Sequence, residues 1–347
     1  MKHEFWAEFD LYGSRNKRKI IEGLVGKRQS SSPWANITDA ATRQAVLAQL
    51  LATDEECARR TKCKDYAKGK NGLQHWYYAG DLETPRGDYQ TFLCHRLRWM
   101  GQVLSLANHH DTVSPSLPNL SSFPPGSWAI QVHFTLRKPY LSKDDVDFYI
   151  IDNPVKKEWV FKVPYVAPSQ WKGALRAAMR RLRGYTTWKE EAQDEQMVRL
   201  FGNVKGEEDE FSAGRLHFYP TFFDRIGLEV INPHDRETGA GKNPIYFECV
   251  PAGTAGVFTL LYVPLDLVGR STPEAMEREA KADLEAVARG VRAMLTEYGF
   301  GAKTSSGYGV VDVKEENIQV LPDKWSDAFI QEWKEGGNAH GTKEGVE

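Results

Sequence analysis

Eleven residues, Gly299-Phe-Gly-Ala-Lys-Thr-Ser-Ser-Gly-Tyr-Gly309, combine four glycines with a cation and four hydroxyl side chains, the composition of a loop that holds a phosphate. Gly299, Gly301, Gly307 and Gly309 permit positive φ and bring backbone N–H groups close to a ligand, while Lys303, Thr304, Ser305, Ser306 and Tyr308 supply charge and donors. Spacing excludes a Walker loop. That motif needs a glycine directly before its lysine and a helix after it, whereas Ala302 precedes Lys303 and the order here is helix, loop, strand. A second group lies on the segment Pro168 to Arg183. Lys172, Arg176 and Arg180 fall four residues apart with Arg183 three further on, so a helix carries them as one stripe. No acidic residue interrupts the segment, so the stripe is expected to lack local ion-pair partners and to want an anion. Ser169 is placed as the cap, next to the free N–H groups of the first turn. An exposed basic face is the plain alternative.

Asp152 stands before Asn153-Pro154 on a loop, where a carboxylate can accept a proton from a 2′-hydroxyl or place a divalent metal that does so; the alternative is a turn cap. Cys57, Cys63 and Cys94-His95, with His75 between them, are zinc candidates at looser spacing than ordinary ligand pairs, and small apolar residues in a helical region are the alternative. With Cys249 the cysteines number four, too few for a secreted disulfide scaffold, so reduced thiols are expected.

These groups need elements to position them. The 347 residues, 41% hydrophobic and 27% charged, suit a globular chain of one large or two ordinary domains. The net charge of -2 gives no general pull on polyanions, so any nucleic acid must be met by local basic patches. The runs 15–19 and 59–64 are read as solvated surface. Neither a long apolar run nor a signal-type N-terminus occurs, and a cytoplasmic protein without membrane contact is expected. A Pro/Ser-rich connector at 111–127 divides the chain. Residues 1–125 are expected to be a mainly helical accessory region, with helices near 37–51 and 89–106. Residues 126–322 are expected to form the core, and 323–347 a C-terminal helix and flexible tail. Within the core the spacing predicts a strand over 128–137, a long loop to 166, a helix over 169–182, and an acidic segment near 186–212, parts of which are expected to be mobile or to project from the body. It then predicts strands at 216–219, 245–250 and 256–263, a helix capped by Ser271 or Thr272 and reaching Tyr298, and a last strand at 310–313. Strand, helix, strand, strand, helix, strand is the ferredoxin-like order, shared with RRM domains, so the class is α+β; such sheets and their loops often hold single-stranded RNA.

The glycine segment resembles the C-terminal signature of the RAMP superfamily of CRISPR-associated proteins. Pro164-Tyr-Val-Ala-Pro-Ser-Gln-Trp-Lys-Gly-Ala-Leu-Arg176 resembles a motif of backbone subunits in type III effector complexes, with Ala167-Pro168 where the family usually has Pro-Gly and Trp171 where it has Leu. Ile151-Asp-Asn-Pro-Val-Lys-Lys157 is similar to a stretch of Csm-type backbone subunits whose aspartate cuts target RNA, which assigns that role to Asp152. Val230-Ile-Asn-Pro-His234 is similar to a segment of a terminal Cmr subunit. The resemblance spans about residues 127 to 320. It implies guide RNA (crRNA) held by Lys172, Arg176 and the glycine loop, target RNA paired to that guide, a divalent metal such as Mg for cleavage, and assembly with other RAMP subunits and a large signalling subunit. A non-catalytic structural or capping subunit is the alternative. So is a guide-processing endoribonuclease using His133, His217 or His234.

Overall fold

The computed structural model describes residues 88–109, 112–144, 153–203, 212–232 and 244–338. The predicted helix near 37–51, both N-terminal basic runs, Cys57, Cys63, His75, Asp152, His234 and the tail after 338 lie outside these residues. The described residues gather into two compact units: one holds those of 88–104, 141–164 and 224–251, the other those of 105–140, 165–223 and 252–338.

In chain order the elements are α1 (Asp88–Val103), β1 (Ala107–His109), β2 (Thr112–Ser114), β3 (Trp128–Leu136), β4 (Tyr165–Val166), α2 (Pro168–Leu182), α3 (Trp188–Ala192), α4 (Glu195–Phe201), β5 (Leu216–Phe218) and β6 (Thr221–Phe222). There follow β7 (Gly227–Ile231), β8 (Ile245–Cys249), β9 (Ala255–Tyr262), α5 (Pro273–Ala293), β10 (Val311–Asp312), β11 (Ile318–Leu321) and α6 (Ser326–Asn338).

The second unit carries the expected topology. Its antiparallel sheet runs β10-β3-β9-β5, with β11 also paired to β3. Assigning β3, β5, β9 and β10/β11 as first to fourth strands gives the order 4-1-3-2, the ferredoxin-like arrangement with α2 and α5 as its helices. Side chains alternate across β3. One face turns to the helices: Trp128 Nε1 donates to Ala280 O on α5 at 3.2 Å, and the Phe134 ring lies 6.4 Å from Trp171 on α2. The opposite face is not bare, because buried Ala129, Leu261 and Val263 are covered by Leu117, Leu120, Phe123 and Tyr219, and Gln131 Nε2 donates to Pro115 O at 3.1 Å. The Pro/Ser-rich connector thus lies where an RRM would offer its sheet to RNA.

A charged network ties the helices to the sheet. Asp283 is fully buried on α5, where it accepts from Arg199 Nη2 on α4 at 2.7 Å and from the Tyr262 hydroxyl on β9 at 2.9 Å. Arg215 donates to the Tyr262 hydroxyl at 2.9 Å and pairs with Asp266 at 2.6 Å and with Glu279; burial pulls its pKa down, and its hydrogen bonds to Asp266 and Glu279 outweigh this and hold the guanidinium above its ordinary value. Tyr262 also stacks on Trp128, with ring centroids 4.8 Å apart. Breaking such a set by removing one partner leaves a buried charge unmatched, so it fixes geometry even where its net contribution to stability is small.

The described part of the acidic segment holds α3 and α4, with Met197, Leu200 and Phe201 buried. Its carboxylates are used locally: Glu190 completes a capping box with Thr187, and Asp194 caps α4 through the N–H groups of Gln196 and Met197. Residues 204–211 of that segment are outside the described ones. The strand at 245–250 forms, but it pairs with β7 as a two-stranded hairpin in the first unit rather than joining the ferredoxin-like sheet. Among the described residues no helix is long and apolar enough to cross a membrane.

Candidate nucleic-acid interface

Topology explains why the glycine segment and the basic helix meet. β3 ends at Leu136, and α2 begins after the excursion through the first unit. The end of α5 leads into β10, whose Val311 pairs with Leu136, so the α5–β10 connection lies at the same end of the sheet as the start of α2. The contacts agree with this. Phe300, almost fully buried in that connection, packs on Trp171 with centroids 4.4 Å apart and on Tyr140 at 5.5 Å. The Tyr140 hydroxyl donates to Gln170 Oε1 on α2 at 2.8 Å.

The hairpin itself is built by its glycines. After the π-turn over Met294–Tyr298, Gly299 takes φ +73, and the Phe300 N–H donates to Gly309 O at 3.1 Å to close the base. Gly309 has φ +71, and a Cβ there would fall 1.9 Å from Phe300 O. At the tip Lys303 is left-handed, Thr304–Ser306 forms one 3-10 turn, and Gly307 reverses the chain with φ +80. Gly301, Lys303, Ser305 and Ser306 are exposed, while Thr304, Gly307 and Tyr308 are half-buried.

Lys138, which the sequence reading missed, belongs to the same place. Its Nζ lies 3.4 Å from Ser306 O, because antiparallel pairing of β3 with β10 carries the residues after Leu136 alongside the hairpin. The strand-end pair Arg137-Lys138 was the available signal.

On α2 the basic stripe divides. Lys172 is half-buried and has no carboxylate partner among the described residues; burial first, then the Arg176 charge, lower its pKa. Arg176 pairs with buried Glu191, Arg180 Nε lies 3.2 Å from the other oxygen of Glu191 without a hydrogen bond, and Arg183 pairs with Asp194. The expectation that the stripe lacks ion-pair partners therefore fails for three of its four cations. The partners sit 11 to 15 residues downstream on α3 and α4, beyond the reach of spacing rules within one helix. Ser169 is exposed at the second helical position, and the cap is Ala167, without a side-chain hydrogen bond, because Pro168 already starts the helix.

His217 is exposed on β5, and desolvation together with the Lys172 charge holds its pKa below the ordinary value. A phosphate beside Lys172 and His217 would oppose both shifts, so its binding would take up protons. His133 is half-buried on β3.

In the first unit the residues after Asp152 are strapped to the β7–β8 hairpin. Asn153 Nδ2 donates to Tyr246 O at 3.2 Å, and the Glu248 N–H donates to Asn153 O at 2.9 Å. The Glu248 carboxylate accepts from the Val155 N–H at 3.1 Å and forms an ion pair with Lys157, both side chains being buried. Burial, then the charges of Glu229 and Glu248, push the neighbouring Cys249 thiol up, which makes it an inert core residue. Cys94 is exposed on α1, and among the described residues no group of three or more His, Cys, Asp or Glu gathers to hold a metal.

Comparison with known proteins gives three findings. A family model described as the RAMP superfamily matches residues 135–312, just over half of the chain, a span that takes in Asp152, α2 and the glycine hairpin. A Streptococcus thermophilus protein named CRISPR system Cms endoribonuclease Csm3 is 27% identical over 174 residues, covering 46% of this chain and 74% of that protein. A chain of the structure described as the cryo-EM structure of the type III-B Cmr-beta bound to cognate target RNA aligns with a TM-score of 0.43 and 15% identity, covering 87% of this chain and 98% of the other.

Proposed function

This chain belongs to the RAMP superfamily, and from that membership we propose that it is a subunit of a type III CRISPR effector complex that binds guide RNA and takes part in target RNA cleavage in antiviral defence. The named relative is a Csm3 endoribonuclease, which supports the placement. The observation that carries the reading is the meeting of the glycine hairpin with the start of α2 through Phe300 and Trp171. That meeting places backbone N–H groups, exposed hydroxyls, Lys138 and Lys303 at the end of the sheet where α2 begins with Lys172 in its second turn. Such a cluster suits the sugar-phosphate backbone of one strand, leaving the bases to pair with target. Arg176 and Arg180, already paired, orient α3 and contribute less to RNA.

For cleavage, Asp152 is the proposed acceptor of the 2′-hydroxyl proton. The 2′-oxygen attacks the adjacent phosphorus and the 5′-oxygen leaves, taking a proton from water, to give a cyclic phosphate and a new 5′-hydroxyl. In-line placement of those atoms supplies much of the acceleration. A divalent ion such as Mg is the proposed cofactor, with Asp152 as its candidate ligand, and it would activate the attacking hydroxyl or stabilise charge on the phosphoryl oxygens. Other RAMP subunits, a large signalling subunit and target RNA are the proposed partners.

The test is an assembled complex carrying Asp152→Ala. Target cutting is expected to fall by at least about 100-fold, the scale of a lost acid–base group, with guide RNA retained. Unchanged cutting at every site removes the catalytic role and favours a structural or capping subunit. Specific cutting of repeat RNA by the lone protein favours guide processing instead.

A further inference from the structure

Two residues beyond the strap at 153–157, the first unit exposes an indole. Trp159 is 73% exposed and Val160 59%, a large apolar surface to leave in water. The turn that carries them is well fixed. The Glu158 N–H donates to Val163 O at 2.8 Å and the Lys162 N–H to Glu158 O at 3.0 Å, while Lys157 and Pro164 bridge its base. Glu158 Oε2 accepts from the Val160 and Phe161 N–H groups at 2.8 and 2.6 Å. Lys162 takes φ +59, which brings its Nζ to 4.9 Å from the Trp159 ring centroid. A side chain presented this way loses little further freedom when it binds.

The neighbourhood repeats the pattern. Phe161 meets Trp99 of α1 edge-on at 4.9 Å. Trp99 is itself 43% exposed and has the Arg96 guanidinium 5.4 Å from its centroid. Arg98 is exposed on the same helix. Two exposed indoles therefore each carry a cation, and the one carboxylate of the turn, Glu158, is turned inward to backbone N–H groups. An apolar protein partner would have to desolvate the Lys162 ammonium without compensation. A strand with flat, stackable bases and a phosphate on either side compensates it.

We propose that Trp159 is a stacking platform for a base of single-stranded RNA, with Lys162 meeting a flanking phosphate. This rests on the RNA-binding reading above, and it assigns the first unit a contact separate from the glycine hairpin. The full-length chain is titrated with a fluorescein-labelled single-stranded oligouridine and with a blunt RNA duplex. Trp159→Ala is expected to weaken oligouridine binding about tenfold, in the range of one lost base–aromatic stack, while Trp159→Phe keeps most of the affinity. Duplex binding is expected to be the same for all, because its bases are already stacked on one another. Trp159 is exposed, so an unchanged thermal midpoint is expected and separates the effect from misfolding. Unchanged oligouridine affinity in Trp159→Ala, alongside weakened binding in Lys172→Ala, overturns this proposal and leaves the RNA-binding reading standing. Unchanged affinity in both variants overturns the two together. Loss of assembly with other subunits while oligouridine affinity is kept identifies a protein contact and likewise overturns it.

Discussion

Gly309→Ala is expected to collapse the glycine hairpin and with it guide binding. The residue has φ +71, and an added Cβ would lie 1.9 Å from Phe300 O, a backbone atom that cannot swing aside. Relief requires losing two hydrogen bonds at the hairpin base, Phe300 N–H to Gly309 O at 3.1 Å and Gly309 N–H to Pro139 O at 3.0 Å. A left-handed residue with a side chain costs about 1–2 kcal/mol, and overpacking adds about 1–3 kcal/mol, so a total of about 2–5 kcal/mol is expected in urea unfolding. Gly253→Ala is the control. It has φ +78, but an added methyl would meet nothing within 4 Å, so only the conformational part, about 1–2 kcal/mol, should appear. Equal losses in the two variants would show that the hairpin base is not the constraint described.

Glu248→Ala is expected to be as damaging to the first unit. Lys157 and Glu248 are 7% and 5% exposed, so removing the carboxylate takes the counter-charge from a buried ammonium that keeps its bond to Val155 O, and orphans the Val155 N–H. Breaking a buried pair in this way costs about 3–5 kcal/mol, far more than the net value of the intact pair. The double variant Lys157→Met with Glu248→Gln removes both charges and leaves an acceptor for Val155, and it should recover more than half of the loss. Because residues 153–157 follow Asp152 directly, cutting should fall and return with stability across the same series. A Glu248→Ala protein with a parental unfolding midpoint would mean that the pair does not hold the strap.

The ferredoxin-like order was legible because β3 alternates apolar and polar residues, β9 is a nearly continuous apolar run, and α5 opens on the Thr272-Pro273 cap. What lay beyond reach was mostly long-range. Glu191 and Asp194 read as members of an acidic run, and only the packing of α3 and α4 against α2 turns them into partners for Arg176 and Arg183. Ser169 looked like a cap because of its type, but Pro168 fixes the first helical φ one residue earlier than that reading allows. The strand at 245–250 was recognised while its partner at 227–231 was not, so its membership of a separate hairpin could not be seen. Lys138 carries no motif and comes to the glycine hairpin through strand register alone. The site was legible in its residue types and its two main segments, and the structure adds which cations are already spoken for.

If the start of α2 and the glycine hairpin grip the phosphates of one RNA strand, guide binding must respond to salt through their lysines. The deciding experiment is the salt dependence of guide RNA binding by the parent chain, by Lys172→Ala and by Lys303→Ala. Each phosphate contact on a single strand contributes about 0.7 to the slope of log affinity against log salt. Each variant is expected to bind more weakly and to lower that slope by about 0.7. Parental affinity and slope in both variants would show that the strand is held elsewhere.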